Sequence, residues 1–316
     1  MAELLLGANL PWLDYGQDFG ASAWRPRGGV ARPDRRERMR RELGGLAEAG
    51  AKAVRWWLLG DGRAGLRESP SGRRLSLDDC VFEDVDAALL ALRESGLRVV
   101  FVLLDFLWFA AGRLEGGVQL GGRRHLVRDE ALRDGLLSGV AAPLAAGYGR
   151  EPLILAWDLF NEPEWATFGL GTLDPRASVS RRQMRALLSG LVSVFHSHAT
   201  QPLTVGLARA RSLPFVRGLG LDLYQVHWYE RQEPVATLAR PVASRRLDRP
   251  LLLGEFATRG ASISADAVVD IARQAGYAQA LAWSWLATDD ATDPATCRAT
   301  LARGAGRRAS PPQTAA

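Results

Sequence analysis

The chain has 316 residues, 47% of them hydrophobic, with 40 Lys+Arg against 35 Asp+Glu and a net charge of +5. That length is ordinary for one (β/α) barrel but leaves one or two domains open, and no run approaches the ~18 uncharged apolar residues of a membrane span. The basic excess does not point to a nucleic-acid partner, because it is nearly all arginine, scattered among acids. Lys52 is the only lysine, and the densest run, Arg32 to Arg41, contains Asp34 and Glu37 and reads as the solvated start of a helix. Cys80 and Cys297 make neither a disulfide framework nor a metal-type cluster. The opening MAELLLGANLPW lacks a basic leader segment, so the expectation is a cytoplasmic protein, or an extracellular one if a leader has been removed.

In chain order, Leu4 to Leu10 predicts a short apolar strand, followed by a Gly- and aromatic-rich loop through Trp12, Tyr15, Phe19 and Trp24. A helix over Arg35 to Ala49, closed by Gly50, leads to a second strand, Ala51 to Leu58. After a polar loop, Asp78-Asp79 opens a helix through Glu94, and Leu97 to Asp105 is a third, buried strand. A long loop with Trp108 and Phe109 precedes a helix around Asp129 to Ala146. The fourth strand is LILAWDLFNEP, from Leu153, followed by a helix from Arg181 to about His198. Pro202–Leu207, Leu221–Trp228, Pro250–Phe256 and Ala280–Leu286 predict strands five to eight, with helical patterns near Pro234–Arg240 and Ala265–Ala275. Eight strands alternating with helices, and no two-strand hairpin signal, give an α/β fold: a single-domain (β/α)8 TIM barrel over residues 1–303. Residues 304–316, small, polar and Pro-containing, predict a disordered tail. An open doubly wound sheet would need a Gly-rich phosphate turn after the first strand, and Gly7-Ala8-Asn9-Leu10-Pro11 is not one.

The site of such a barrel lies at the C-terminal ends of its strands. There the sequence sets Asn9 and Trp12, Arg55, Asp105, Asn161 and Glu162, His227 and Tyr229, Glu255, and Trp283 with Trp285. Glu162 precedes Pro163, which disfavours the helical region and predicts an extended backbone there. Alone, Asn161-Glu162 could be a solvated turn; a second glutamate after the leucines of Pro250–Phe256 argues otherwise. Two carboxylates, a cation, an amide, an imidazole, a phenol and indoles converging on one mouth suit a sugar. Trp56 and Trp57 are strand neighbours facing opposite sides, so at most one can line the site, and core packing is expected for both. By the same rule Trp283 and Trp285 face one way, with Trp283 the expected sugar platform. His196 and His198 diverge by about 200° on a helix, so no metal site is expected, and His125 is expected to be exposed.

With Arg55 ending the second strand, Asn161-Glu162-Pro163 the fourth, His227-x-Tyr229 the sixth, Gly254-Glu255-Phe256 the seventh and Trp283-Ser284-Trp285 on the eighth, the sequence resembles the clan A glycoside hydrolases. It is most similar there to the family-five cellulase and mannanase group, over roughly residues 4 to 303. The resemblance implies a retaining β-glycosidase acting on β-glucan- or β-mannan-type chains, with Glu162 as acid/base and Glu255 as nucleophile. It further implies that Asn161 binds the sugar 2-hydroxyl, that Arg55 and Tyr229 contact Glu255, that His227 lies near Glu162, and that the Trp283-Ser284 bond is cis. Trp12 is expected to contact substrate. No metal or organic cofactor, a carbohydrate as the sole partner and a monomer are expected; a non-catalytic carbohydrate-binding protein on the same barrel is the alternative. The chain departs from the family in having Asp105 where a histidine usually ends the third strand. Asp105 either accepts from a sugar hydroxyl or caps the turn that follows.

Overall fold

The computed structural model describes residues 4–69 and 75–306. Eight parallel strands close a barrel: Leu5–Asn9, Ala53–Trp57, Arg98–Asp105, Ile154–Asn161, Leu203–Leu207, Tyr224–Trp228, Leu251–Ala257 and Gln279–Trp283, the first pairing with both the second and the last. The (β/α)8 expectation holds. Most strand residues are buried on both faces, which is why the strands read as continuous apolar runs rather than as alternating ones.

Helices fill the outer layer and take their ends from local chemistry. Arg181–His198 starts on a capping box, Ser180 accepting from the Gln183 N–H while the Gln183 side chain returns to the Ser180 backbone. Asp79–Ser95 and Ala265–Ala275 each stop at a left-handed glycine, Gly96 and Gly276. The helix expected over Asp129–Ala146 is broken into Glu130–Leu136, a wide turn over Leu137–Ala141, and Ala142–Tyr148. Pro143, at the start of the last piece, cannot donate into a regular helix. Gly139 in the wide turn meets another segment so closely that a Cβ there would lie 1.9 Å from the Leu75 carbonyl oxygen.

Two antiparallel hairpins do occur in the loops over the mouth, contrary to expectation: Leu66–Glu68 with Leu75–Leu77, and Arg113–Glu115 with Val118–Leu120. The second turns on Gly116-Gly117, both at positive φ, a signal the sequence carries openly. The final helix, Pro294–Gly306, takes in the first residues of the expected tail; residues 307–316 lie outside the described ones. No described helix is long and apolar enough to cross a membrane.

Candidate active site

The lumen near the strand ends is not filled by apolar side chains. Arg55, wholly buried, holds a polar hub together there. Its Nε and Nη2 donate to Asp158 Oδ2 at 2.9 and 2.7 Å, Nη1 to Glu255 Oε1 at 2.7 Å and to Asn9 Oδ1 at 3.0 Å, and Nη2 also to Asn161 Oδ1 at 2.7 Å. Gln225 donates to the same Asp158 oxygen at 2.7 Å. Room for this cluster is made by Gly206 and Gly254, where a Cβ would fall within 2.9 Å of Arg55, Asp158 or Gln225. Gly254 is also an extra residue in its strand: Val226 pairs with Leu253 but His227 with Glu255. The resulting bulge sets Glu255 beside His227 at the lumen end.

Glu162 corrects one expectation. Its backbone is left-handed, at φ 50° and ψ 54°, not extended. The strand ends at Asn161, the Glu162 N–H donates to the Gly206 carbonyl at 2.7 Å, and Pro163 opens a short turn, Pro163–Ala166. These contacts override the local preference before proline. A non-glycine residue at positive φ carries about 1–2 kcal/mol of strain, and such residues gather at functional sites.

The carboxyl of Glu162 meets His227 Nδ1 at 2.8 Å through Oε1 and accepts from Trp165 Nε1 at 2.7 Å through Oε2. Glu255 accepts from Tyr229 Oη at 2.6 Å besides Arg55. Ligand-type atoms of Glu162, His227 and Glu255 all lie within 4.8 Å of one another. Such a trio could hold a cation in principle, but the Arg55 guanidinium already bonds Glu255 and opposes a second positive charge.

Burial pushes Glu162 up to about 7, with Trp165 and the cations Arg55, Arg209 and Arg231 pulling the other way. Burial also raises Glu255, against His227, Arg55 and Tyr229. His227 itself is pushed down to about 4 by burial, so it is neutral near pH 7 and its pull on Glu255 operates only in acid. Arg55 and Tyr229 remain, whereas Glu162 has only neutral donors in contact. The asymmetry favours the proton on Glu162 over Glu255.

A cleft of about 330 Å³ opens over this pair, and Trp12, Trp57, Asp105, Asn161, Glu162, Trp165, Tyr229, Glu255 and Trp283 all line it. Arg55 and His227 stand behind the wall. Of the two roles weighed for Asp105, the structure shows the turn cap: Oδ1 accepts from the Leu107 N–H at 2.8 Å, while Oδ2 accepts from Asn161 Nδ2 at 2.8 Å and Trp57 Nε1 at 3.0 Å. Burial raises its carboxyl to about 7. The Trp283-Ser284 bond is cis, and the Trp283 indole donates to Asp289 Oδ2 at 2.7 Å.

Two tryptophan expectations fail. Trp57, though buried, lines the cleft: it lies edge-on to Trp283 with ring centres 5.8 Å apart, under the Arg55 guanidinium at 4.3 Å. Trp285 does not share the face of Trp283, because the strand has ended and strand alternation no longer applies. It packs outward, donating to Glu42 at 2.8 Å beneath Arg298. Trp56 is buried as expected.

Asp158, Arg231 and Asp289 escaped the sequence reading. Asp158 had a signal: an acid inside an otherwise apolar strand needs a buried cation. Asp289, in a loop, had none. His196 and His198 are exposed, His196 meeting Asp222 at 3.2 Å, and His125 is exposed. A larger hollow of about 870 Å³, between helices around Arg93 and Tyr148, lies away from the strand ends.

No protein-family model matches the chain. It is 22% identical to a mannan endo-1,4-beta-mannosidase of Mytilus edulis, over 90% of this chain and 84% of the relative. It is also 22% identical to one of Cryptopygus antarcticus, over 92% and 82%. The endo-1,4-beta-mannanase structure of Eisenia fetida superimposes with a TM-score of 0.79 at 19% identity, over 96% of this chain and 91% of that one. In sequence likeness, barrel architecture and the residues at its mouth, the chain resembles the clan A, family-five-like glycoside hydrolases.

Proposed function

We propose that the chain hydrolyses β-1,4-linked mannan with retention of anomeric configuration, through a covalent glycosyl-enzyme intermediate. The observation that carries the mechanism is the pair of buried glutamates with carboxyl oxygens within 4.8 Å and opposite surroundings. Retaining enzymes hold their carboxyls ~5–5.5 Å apart, whereas inverting ones need ~6.5–9.5 Å to admit a water between carboxylate and sugar. The substrate follows from what the sequence relatives are named for, mannan cleavage within the chain.

In the first step Glu255 attacks the anomeric carbon while protonated Glu162 gives its proton to the departing oxygen. Arg55 and Tyr229 keep the Glu255 carboxylate aimed and ionised. In the second, Glu162, now ionised, takes a proton from water, which attacks the same carbon and frees Glu255. Asn161, its oxygen turned to Arg55, has an N–H left for the 2-hydroxyl, and Trp283 offers an apolar face to the ring.

The test is chemical rescue with aryl β-mannosides. Glu255→Ala should lose turnover and regain it with azide, giving an inverted product. Glu162→Ala should keep the first step for good leaving groups and slow the second. An inverted product from azide rescue of the Glu162 variant would exchange the two roles, and faster cleavage of β-glucan than of β-mannan would overturn the substrate.

A further inference from the structure

The side-chain amide of Asn161 is gripped from both ends. Its oxygen accepts from Arg55 Nη2 at 2.7 Å, and its nitrogen donates to Asp105 Oδ2 at 2.8 Å. An amide has nearly the same shape either way round, so its partners alone decide which atom points where. Reversing this one would put NH2 against a guanidinium and oxygen against a carboxylate, two repulsive contacts in place of two charge-assisted bonds. Arg55 is fixed by Asp158 and Glu255 as well, so it constrains the oxygen end whatever Asp105 does. The nitrogen end depends on Asp105.

We propose that Asp105 is the positioning residue that fixes which hydrogen-bonding face Asn161 turns toward the sugar's 2-hydroxyl. The proposal rests on the glycosidase reading given above. A carboxylate is required because three N–H groups converge on this side chain: Leu107 on Oδ1, and Asn161 and Trp57 on Oδ2. Asp105→Asn has one acceptor oxygen for two places. With the oxygen toward Leu107, an NH2 faces the nitrogen of Asn161 and drives that amide off its line. With the oxygen toward Asn161, the Leu107 N–H faces a donor and the turn Phe106–Phe109 loosens.

The readout compares dinitrophenyl β-mannoside with its 2-deoxy counterpart, which share an activated leaving group and differ only at the 2-hydroxyl. In wild-type enzyme the ratio of kcat/KM values measures how well that hydroxyl is held. Asp105→Asn should lower the ratio roughly tenfold or more, with the loss concentrated on the mannoside, as expected when a contacting group is displaced by a fraction of an ångström. Trp57→Phe removes the indole donor to Asp105 and should leave the ratio within about twofold of wild type. Combined with Asn161→Ala, Asp105→Asn should change the ratio no further, since the group it positions is gone. Asp105→Glu, which keeps the acceptor but displaces it by a methylene, reads the same contrast if Asp105→Asn does not fold. Equal losses on both compounds would reduce Asp105 to a structural turn cap, and a changed ratio in Trp57→Phe would move the role to Trp57; either overturns the proposal. Wild-type enzyme that turns over neither compound is a different failure, that of the functional reading itself.

Discussion

Arg55→Met tests the reasoning about the hub most directly. The substitution keeps an unbranched apolar stem of similar reach but deletes a guanidinium that makes five hydrogen bonds to Asn9, Asp158, Asn161 and Glu255, with no solvent access. Those bonds cannot be summed at face value, because burying the arginine itself costs several kcal/mol. What decides the outcome is what remains: Asp158 and Glu255, both buried and facing each other's charge without a cation. Removing one partner of a buried ion cluster costs about 3–5 kcal/mol, a large share of a typical folding free energy of ~5–15 kcal/mol. For a chain of this size that corresponds to a melting temperature lower by on the order of 10 °C. The sign of the pH dependence follows from linkage. Without the cation that lowers it, Glu255 in the folded variant binds its proton more tightly still than in the unfolded chain, so the deficit against wild type is largest at about pH 8 and shrinks toward about pH 5. Thermal melts of both proteins at the two pH values measure it. A deficit below ~3 °C, or one independent of pH, would show that the hub is not the electrostatic keystone described here. Arg55→Lys should recover part of the stability but little activity, since one ammonium cannot span Asp158, Glu255 and Asn161 at once.

Glu162 must be protonated to act as acid, so kcat/KM should fall as pH rises through about 7, and Arg209→Met, removing a cation that favours the ionised form, should move that limb upward; a limb that stayed in place would exclude Arg209 from the field at Glu162. Burial also raises Glu164 to about 7; one oxygen accepts the Ala208 N–H, and the other lies by Ser212 outside hydrogen-bond geometry. As the folded state binds that proton more tightly, its contribution to stability falls between the ordinary carboxylate range and about 7 and is constant above, so Glu164→Gln should gain on wild type across that window in paired melts. Trp283→Ala and Trp57→Ala should each depress turnover at least tenfold at matched stability, whereas Trp56→Phe, losing a buried bond to Asp18, should cost stability of about 1–2 kcal/mol and spare kcat; full activity in Trp57→Ala would return that residue to the core. Prolonged EDTA treatment should leave activity intact; loss of activity with recovery on adding zinc or calcium would show that Glu162, His227 and Glu255 hold a metal after all.

The sequence by itself determined the barrel and the two glutamates. Strands buried on both faces leave uninterrupted apolar runs, and a carboxylate at the end of such a run, as at Glu162 and Glu255, has no cheap structural reason to be there. Arg55, Asn161, His227 and Tyr229 were legible for the same reason, each being a polar group closing an apolar strand. What escaped depends on geometry that local pattern does not encode. Trp57 alternates correctly with Trp56, yet whether its face lies in packed core or open mouth depends on how far up the barrel axis it stands, which barrel closure decides. Asp158 and Arg55 are 103 positions apart, and their pairing has room because Gly206 leaves the lumen empty where they meet. The left-handed turn at Glu162 reverses the preference that proline imposes on its predecessor, through a hydrogen bond to a neighbouring strand. Local sequence sets which residues could serve the site; register, bulges and closure set which way each one faces, because those are fixed only when strands far apart in the chain compete for the same space.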